Sequence, residues 1–207
     1  MKRSVLILSG LDFKEKSIVV IRKTPESYVA AGWQVTVVVA RDPFHADYFY
    51  EKPFDPPGVK VIRFQKPLSK LRSRIAPGRI NSLLLRLGTA LNIFYLAFLG
   101  IWEFLKSPTS IVYGYEFSGV LAMNFLRAVV RLTGYKVKWV ARFQGVIWSD
   151  IALSGTQNLR ALCLKNWPSY FAYQSPSDLC IMTDDGTRGV EFFQLLKSPH
   201  LKNIAFL

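Results

Sequence analysis

The sequence predicts an α/β fold: a Rossmann-like parallel sheet with helices on both faces, built as a single domain over residues 1–207. Three observations predict it. Short apolar runs rich in Val and Ile alternate with longer segments of helical character, the succession that builds βαβ units. The first such run, Ser4–Ser9 (SVLILS), is continuously apolar and ends at a glycine, as a strand buried on both faces does. Half of the residues are apolar and 14% aromatic, enough to fill a core without metal or disulfide support.

Taken in order, Ser4–Ser9 is the first strand and Gly10 its turn. The apolar stretch behind Lys2 and Arg3 runs only from Val5 to Leu8, too short for a secretory signal, so a cytoplasmic protein is expected. Thr24-Pro25-Glu26 reads as a helix start, with Thr24 as cap, proline in the first turn and an acid near the positive end. Gly32 reads as its stop, and whether Glu15–Lys23 forms an earlier stretch of that helix is left open. Trp33–Ala40 (WQVTVVVA) is β-branched and gives the second strand. Arg41–Gly58, with four prolines, is a long loop, and Val59–Phe64 the third strand. Lys66–Arg79 is basic and contains proline, hence irregular and exposed.

Asn81–Leu105 is a long helix, Ile111–Tyr115 the fourth strand, and Ser118–Thr133 a helix ended by Gly134. Val137–Phe143 is the fifth strand, and Asn158–Tyr173 is helical on both sides of Pro168. Asp178–Thr183 is the sixth strand, Thr187–Leu196 a helix and Lys202–Leu207 a seventh strand. This last run stops without a polar tail or closing helix, so a truncated chain is expected, the bland alternative being a strand that happens to end the protein.

The net charge of +13 is unevenly spread: from Pro56 to Ser149 the only acids are Glu103 and Glu116, against fourteen Lys and Arg. Such a surface attracts polyanions. No zinc-ligand pattern, RNP-like aromatic motif or basic heptad region accompanies it, so nucleic acid is not an expected partner. The basic residues instead accompany apolar runs. Leu87–Trp102 is sixteen residues without a charge, short of the roughly twenty that span a bilayer. It reads either as a helix buried in the domain or, with Lys60–Arg79, as a face that docks peripherally on the inner, anionic side of a membrane. Cys163 and Cys180 lie in apolar runs and are expected as buried thiols of a reducing compartment. His45 and His200 have no partner nearby in sequence and are expected at the surface.

In open α/β sheets ligands bind beyond the carboxyl ends of the strands, which directs attention to three loops. At Ser9-Gly10 a glycine permits close backbone approach to phosphate, or is an ordinary turn residue. In Arg142-Phe143-Gln144-Gly145 the arginine suits phosphate, the glutamine a sugar hydroxyl and the phenylalanine a pyranose face. The alternative is a strand end with a solvated Arg and a turn glycine. In Thr183–Gly189 (TDDGTRG) the paired acids suit a metal or acid–base chemistry, although Asp or Thr capping a helix is the commoner use.

As a set, Ser9-Gly10, Ala31–Val37 (AGWQVTV), Tyr113–Ser118 (YGYEFS), Arg142–Val146 (RFQGV) and Ile181–Gly189 (IMTDDGTRG) resemble the N-terminal domain of family 4 glycosyltransferases, which have the two-domain GT-B fold. The resemblance spans nearly the whole chain, and RFQG and MTDDGTRG are its most specific pieces. It implies a retaining transfer of a sugar, of hexosyl type, from a nucleotide-sugar donor to a lipid-linked or polysaccharide acceptor. The acceptor would be bound by this half and the donor mainly by a C-terminal domain absent from the chain, so the chain alone would be inactive. It implies no cofactor and no metal beyond the donor as co-substrate, because basic residues and helix N-termini stabilise the leaving diphosphate. Gly10 is implied in the approach to donor phosphate, and Glu116, Arg142, Gln144, Gly145 and Asp185 around the acceptor cleft; no catalytic residue is assigned. Two departures stand out: the Gly-Gly pair common after the first strand is reduced to Gly10, and many members place a histidine where this chain has Gln144. The alternative reading is a non-catalytic, membrane-docked acceptor-binding subunit that pairs with a separate donor-binding chain.

Overall fold

Seven parallel strands form one sheet in the order β3-β2-β1-β4-β5-β6-β7 in a computed structural model that describes residues 3–13, 19–44, 55–146, 148–183 and 188–206. The strands are β1 (Ser4–Ser9), β2 (Gln34–Arg41), β3 (Val59–Gln65), β4 (Ile111–Tyr115), β5 (Lys138–Phe143), β6 (Leu179–Met182) and β7 (Ile204–Phe206). Between them lie α1 (Val19–Ala30), α2 (Ser69–Arg72), α3 (Arg79–Lys106), α4 (Glu116–Thr133), α5 (Ser149–Leu153), α6 (Leu159–Lys165), α7 (Trp167–Tyr173) and α8 (Gly189–Leu195), with a 3-10 turn at Pro199–Lys202. This is the expected α/β class. The strand order reverses at β1, which pairs with β2 on one side and β4 on the other. That switch point is where such sheets bind ligands.

Alternation along the strands divides the core in two. Leu6, Leu8, Ala141, Phe143, Cys180 and Met182 pack with α3, α4, α7 and α8. Val5, Ile7, Val37, Val39, Tyr113, Tyr115 and Val140 form the other face, where Ile21, Tyr28 and Val29 of α1 cover them. Every residue of β1 is buried, which explains why its sequence is apolar without interruption.

Helix α1 ends as expected. Gly32 takes a φ of 78°, the Gly32 N–H donates to Val29 O at 2.9 Å, and the Trp33 N–H donates to Tyr28 O at 2.9 Å. The Tyr28 and Trp33 rings meet edge to face across this cap, the apolar contact that accompanies such ends. Its start differs from expectation: Thr24 is no cap, because the helix already runs from Val19, with Pro25 inside it. Ile21 and Pro25, one turn apart, are both buried, and this burial on the sheet outweighs the missing proline N–H.

Other expectations also need correction. Lys66–Arg79 is not wholly irregular, since α2 forms within it behind Leu68 in the left-handed region. Helix α5 was not foreseen; at five residues it carries no periodic pattern. The seventh strand shortens to Ile204–Phe206, because Pro199–Lys202 is held in a 3-10 turn capped by the Ser198 hydroxyl. His200 is not at the surface: it is 1% exposed and packs against Phe143 and Phe193. Its Nε2–H donates to Ala172 O at 3.2 Å, so Nδ1 accepts from the Ser177 hydroxyl at 3.0 Å. Burial holds its pKa below the usual value, against the opposing effect of the Ala172 carbonyl. Cys180 is buried, its thiol pushed up to about 12, whereas Cys163 is only half-buried. His45 and most of the loop Arg41–Gly58 lie outside the described residues.

Candidate functional site

The carboxyl ends of β1, β4 and β5 meet at the start of α4. Two glycines allow this: a Cβ at Gly119 would sit 2.1 Å from Leu8 O, and one at Gly114 2.8 Å from the Val120 Cα. With no side chain at either position, the first turn of α4 lies directly on the strands and its positive end faces the loops after them. Gly10 is placed by the same packing, since a Cβ there would come 2.7 Å from the Ser118 Cβ and 3.6 Å from Asn92 Nδ2. The Ser9 hydroxyl closes the turn, donating to Leu11 O at 2.7 Å.

Glu116, the first residue of α4, has a φ of 55°. A non-glycine residue in this region costs on the order of 1 kcal/mol. The conformation lets its Oε1 accept the Gln144 N–H at 2.7 Å, which ties the start of α4 to the loop after β5. Gln144 is exposed, and Gly145, with a φ of 119° that favours glycine, is buried behind it. The structure therefore brings Gly10, Glu116, Gln144 and Gly145 to one edge of the sheet.

Arg142 belongs to the same edge. It stands opposite Tyr115 in the β4–β5 register and is 7% exposed, which rules out a solvated strand end. Its Nη1 donates to the Tyr113 hydroxyl at a long 3.4 Å, and its Nε has no hydrogen-bond partner among the described residues. Burial raises the pKa of Tyr113, with Arg142 opposing; burial and then the Glu116 charge raise that of Tyr115, so both remain neutral phenols. The Tyr115 hydroxyl, Asn92 Oδ1 and Thr183 Oγ1 likewise lack a partner among the described residues. Three of these, Tyr115, Arg142 and Thr183, stand at the carboxyl ends of the adjacent strands β4, β5 and β6, while Asn92 sits on α3 beside Gly10. Such buried groups are costly at about 1–3 kcal/mol each, and a polar ligand is what would satisfy them.

Phe143 does not serve a pyranose. It is fully buried in an aromatic cluster with Tyr173, Phe193 and His200. Asp185, with Asp184, lies outside the described residues. The cap position of the helix after them, α8, is occupied by Arg188 in the left-handed region. Among the described residues no cluster of His, Cys, Asp or Glu is placed to hold a metal. Asn92, Tyr115 and Asp12 were not singled out in the sequence. Asp12 is buried, accepts from Arg63 Nε at 2.9 and 3.0 Å, and so ties the turn after β1 to β3. Only tertiary contacts across tens of residues give these three their meaning, although an Asn inside an apolar helix and an Asp after a first strand are signals that could have been followed.

The sequence matches no protein-family model and no curated protein. Its fold, however, is that of glycosyltransferase domains. The whole chain superimposes on a sucrose-phosphate synthase from Thermosynechococcus elongatus with a TM-score of 0.51 at 13% identity, covering 47% of that chain. A second, shorter structure under the same name gives 0.52 at 12% identity, with 99% of this chain and 87% of that one covered. Arabidopsis thaliana UGT89C1, solved in complex with UDP, gives 0.55 at 13% identity, with 100% of this chain and 51% of that one covered. The chain thus spans about half the length of the first and third of these. Its architecture is the Rossmann-like half of a GT-B fold.

Proposed function

We propose that this chain is the acceptor-side domain of a sugar-transferring enzyme, and that the carboxyl edge of its sheet is the acceptor cleft. The observation that carries the reading is the row of Tyr115, Arg142 and Thr183 at the carboxyl ends of the adjacent strands β4, β5 and β6, buried polar groups without partners among the described residues, beside the Glu116–Gln144 contact. The likeness of the fold to glycosyltransferase domains supports it. Arg142 supplies a cation and donors for a phosphate or sugar oxygen, and neutral Tyr115 supplies a hydroxyl that donates or accepts. Glu116 holds the Gln144 backbone and leaves the glutamine side chain exposed, free to meet a ligand.

The resemblance to family 4 supports the finer statements: retention of configuration, donor binding mainly on a second α/β domain, Gly10 near the donor phosphates, Asp185 at the cleft, and a cytoplasmic location. No metal or cofactor is needed in this reading.

Titration of the purified chain by saturation-transfer NMR with sugars, sugar phosphates and nucleotide sugars tests the proposal. At least one sugar or sugar phosphate should bind and protect the Gln144–Gly145 amides from exchange. Binding by none of them, or binding only at a site remote from Arg142, would overturn it.

A further inference from the structure

Helix α3 is 28 residues long, yet its sheet-facing side accounts for few of them: Gly88, Asn92, Ile93, Leu96, Ala97, Gly100 and Phe104. The opposite side is apolar and open. Ile80, Leu83, Leu87, Phe94, Phe98 and Leu105 recur at helical spacing, so they form one stripe along the whole length of the helix, and Ile80, Leu83 and Phe98 are 68%, 67% and 63% exposed. The stripe borders an apolar groove of about 420 Å³ between α3, α4 and α7, walled by Phe94, Phe125 and Phe171. Surfaces of this kind on soluble domains mark an interaction site.

The helix is long and apolar enough to cross a membrane by length and composition, but its position in the fold assigns it a different geometry. Gly100 packs on Leu8, and Glu103 near its end pairs with Lys60 on β3. One side is therefore committed to the domain core, so α3 can lie on a bilayer and cannot span it. Because Asn92 sits beside Gly10, residues 79–91 continue past the carboxyl ends of the strands by about 20 Å of helix. This overhang rises on the same edge as the candidate acceptor cleft.

Its charges select the occupant. Lys66, Lys70, Arg72, Arg74, Arg79 and Arg86 surround the overhang, and the backbone of Pro67 packs against Gly88 to hold that basic segment in place. At the far end Lys106 lies 4.7 Å over the exposed Trp102 ring. From Pro56 to Ser149 the acids are Glu103 and Glu116, and both are engaged within the domain: Glu103 with Lys60 and Lys106, Glu116 with the Gln144 backbone. An apolar stripe with basic residues around it, in a segment whose two acids are both engaged within the domain, complements acyl chains below anionic headgroups.

We infer that α3, with the basic segment 66–86, is a docking surface for an anionic lipid bilayer, lying flat with its stripe at the acyl boundary. On the sugar-transfer reading, which this addition to the acceptor rests on, the overhang brings the cleft to the membrane surface, and the acceptor is a lipid-anchored one. The docking itself does not depend on that reading.

Co-sedimentation with vesicles of phosphatidylcholine alone and with phosphatidylglycerol added, at low and high salt, tests it on the full chain. Binding should require the anionic lipid, fall as salt rises, and drop at least about tenfold in Leu83→Glu/Phe98→Glu and in Arg72→Gln/Arg74→Gln/Arg79→Gln. The substituted side chains are exposed except Arg72, which is half-buried, and unchanged circular dichroism verifies that both variants fold. Equal binding to both vesicle types, no binding, or a wild-type dimer in solution that Leu83→Glu dissociates would overturn the inference, the last by making the stripe a protein interface. Vesicle binding without sugar binding would defeat the sugar-transfer reading and leave docking standing.

Discussion

A buried arginine with no ion-pair partner among the described residues is an unusual thing for a fold to keep. Arg142 is 7% exposed, and its one described hydrogen bond is a long one to a neutral phenol. Desolvating a charge without pairing it destabilises the domain, so an apolar side chain of similar reach should be tolerated or preferred. Arg142→Met is therefore expected to leave the melting temperature unchanged or raised while weakening sugar or sugar-phosphate binding at least roughly tenfold, the worth of one charge-assisted contact. A lower melting temperature with unchanged binding would make Arg142 structural. His200 carries the opposite logic. Its folded pKa lies below the ordinary 6.5, so the unfolded chain binds the extra proton first. Stability is then complete above about 6.5 and is lost as pH falls from there through the lower folded value. Thermal melts between pH 7 and 5 should show that decline, and His200→Phe, which keeps the ring packing against Phe143 and Phe193, should flatten it. The sequence pointed to Arg142 because it stands at the end of a strand, where ligands bind; it could not show that His200 is enclosed by residues from three other segments.

At the scale of elements, the site depends on how closely α4 approaches the sheet. Gly119 is the point of contact: an added Cβ would lie 2.1 Å from Leu8 O, which is backbone and cannot swing aside. Gly119→Ala should displace the helix start and cost at least about 1–3 kcal/mol, several degrees in melting temperature. Gly134→Ala is the comparison, with open space around it and only the cost of its φ of 73°, about 1 kcal/mol. Equal melting temperatures for the two variants would show that α4 has room to shift. Elements were legible in the sequence where burial dictates composition. β1 is apolar throughout because both its faces are covered, and α4 stops at Gly134 because that residue needs a positive φ. They were not legible where tertiary contact overrides local preference. α1 passes through Pro25 because Ile21 and Pro25 share a buried face, and α5 is too short to show a period.

At the scale of the molecule, the chain spans about half the length of two glycosyltransferase structures it superimposes on, and its candidate site occupies one edge of the sheet. A two-substrate transfer is accelerated chiefly by holding both partners in a reactive geometry, an advantage of about 7–11 kcal/mol that one wall of a cleft cannot supply. Family 4 enzymes, which the sequence resembles, hold the donor mainly on a second domain. The expected outcome is thus a chain that binds an acceptor-type sugar and turns over no nucleotide sugar. Incubation of the purified chain with UDP-, GDP- and dTDP-sugars, with and without a bound acceptor, followed by measurement of released nucleotide diphosphate, checks this. The rate should stay at the enzyme-free background in every mixture. Adding a separately produced donor-binding domain should restore release if the cleft described here is one of its walls. Release by the chain alone at about 1 s⁻¹ or faster, within the ordinary range for enzymes, would mean that residues 1–207 hold both substrates themselves. The donor phosphates would then have to be sought at the start of α4, beside Gly10 and Ser118, where the positive end of a helix already faces the loops.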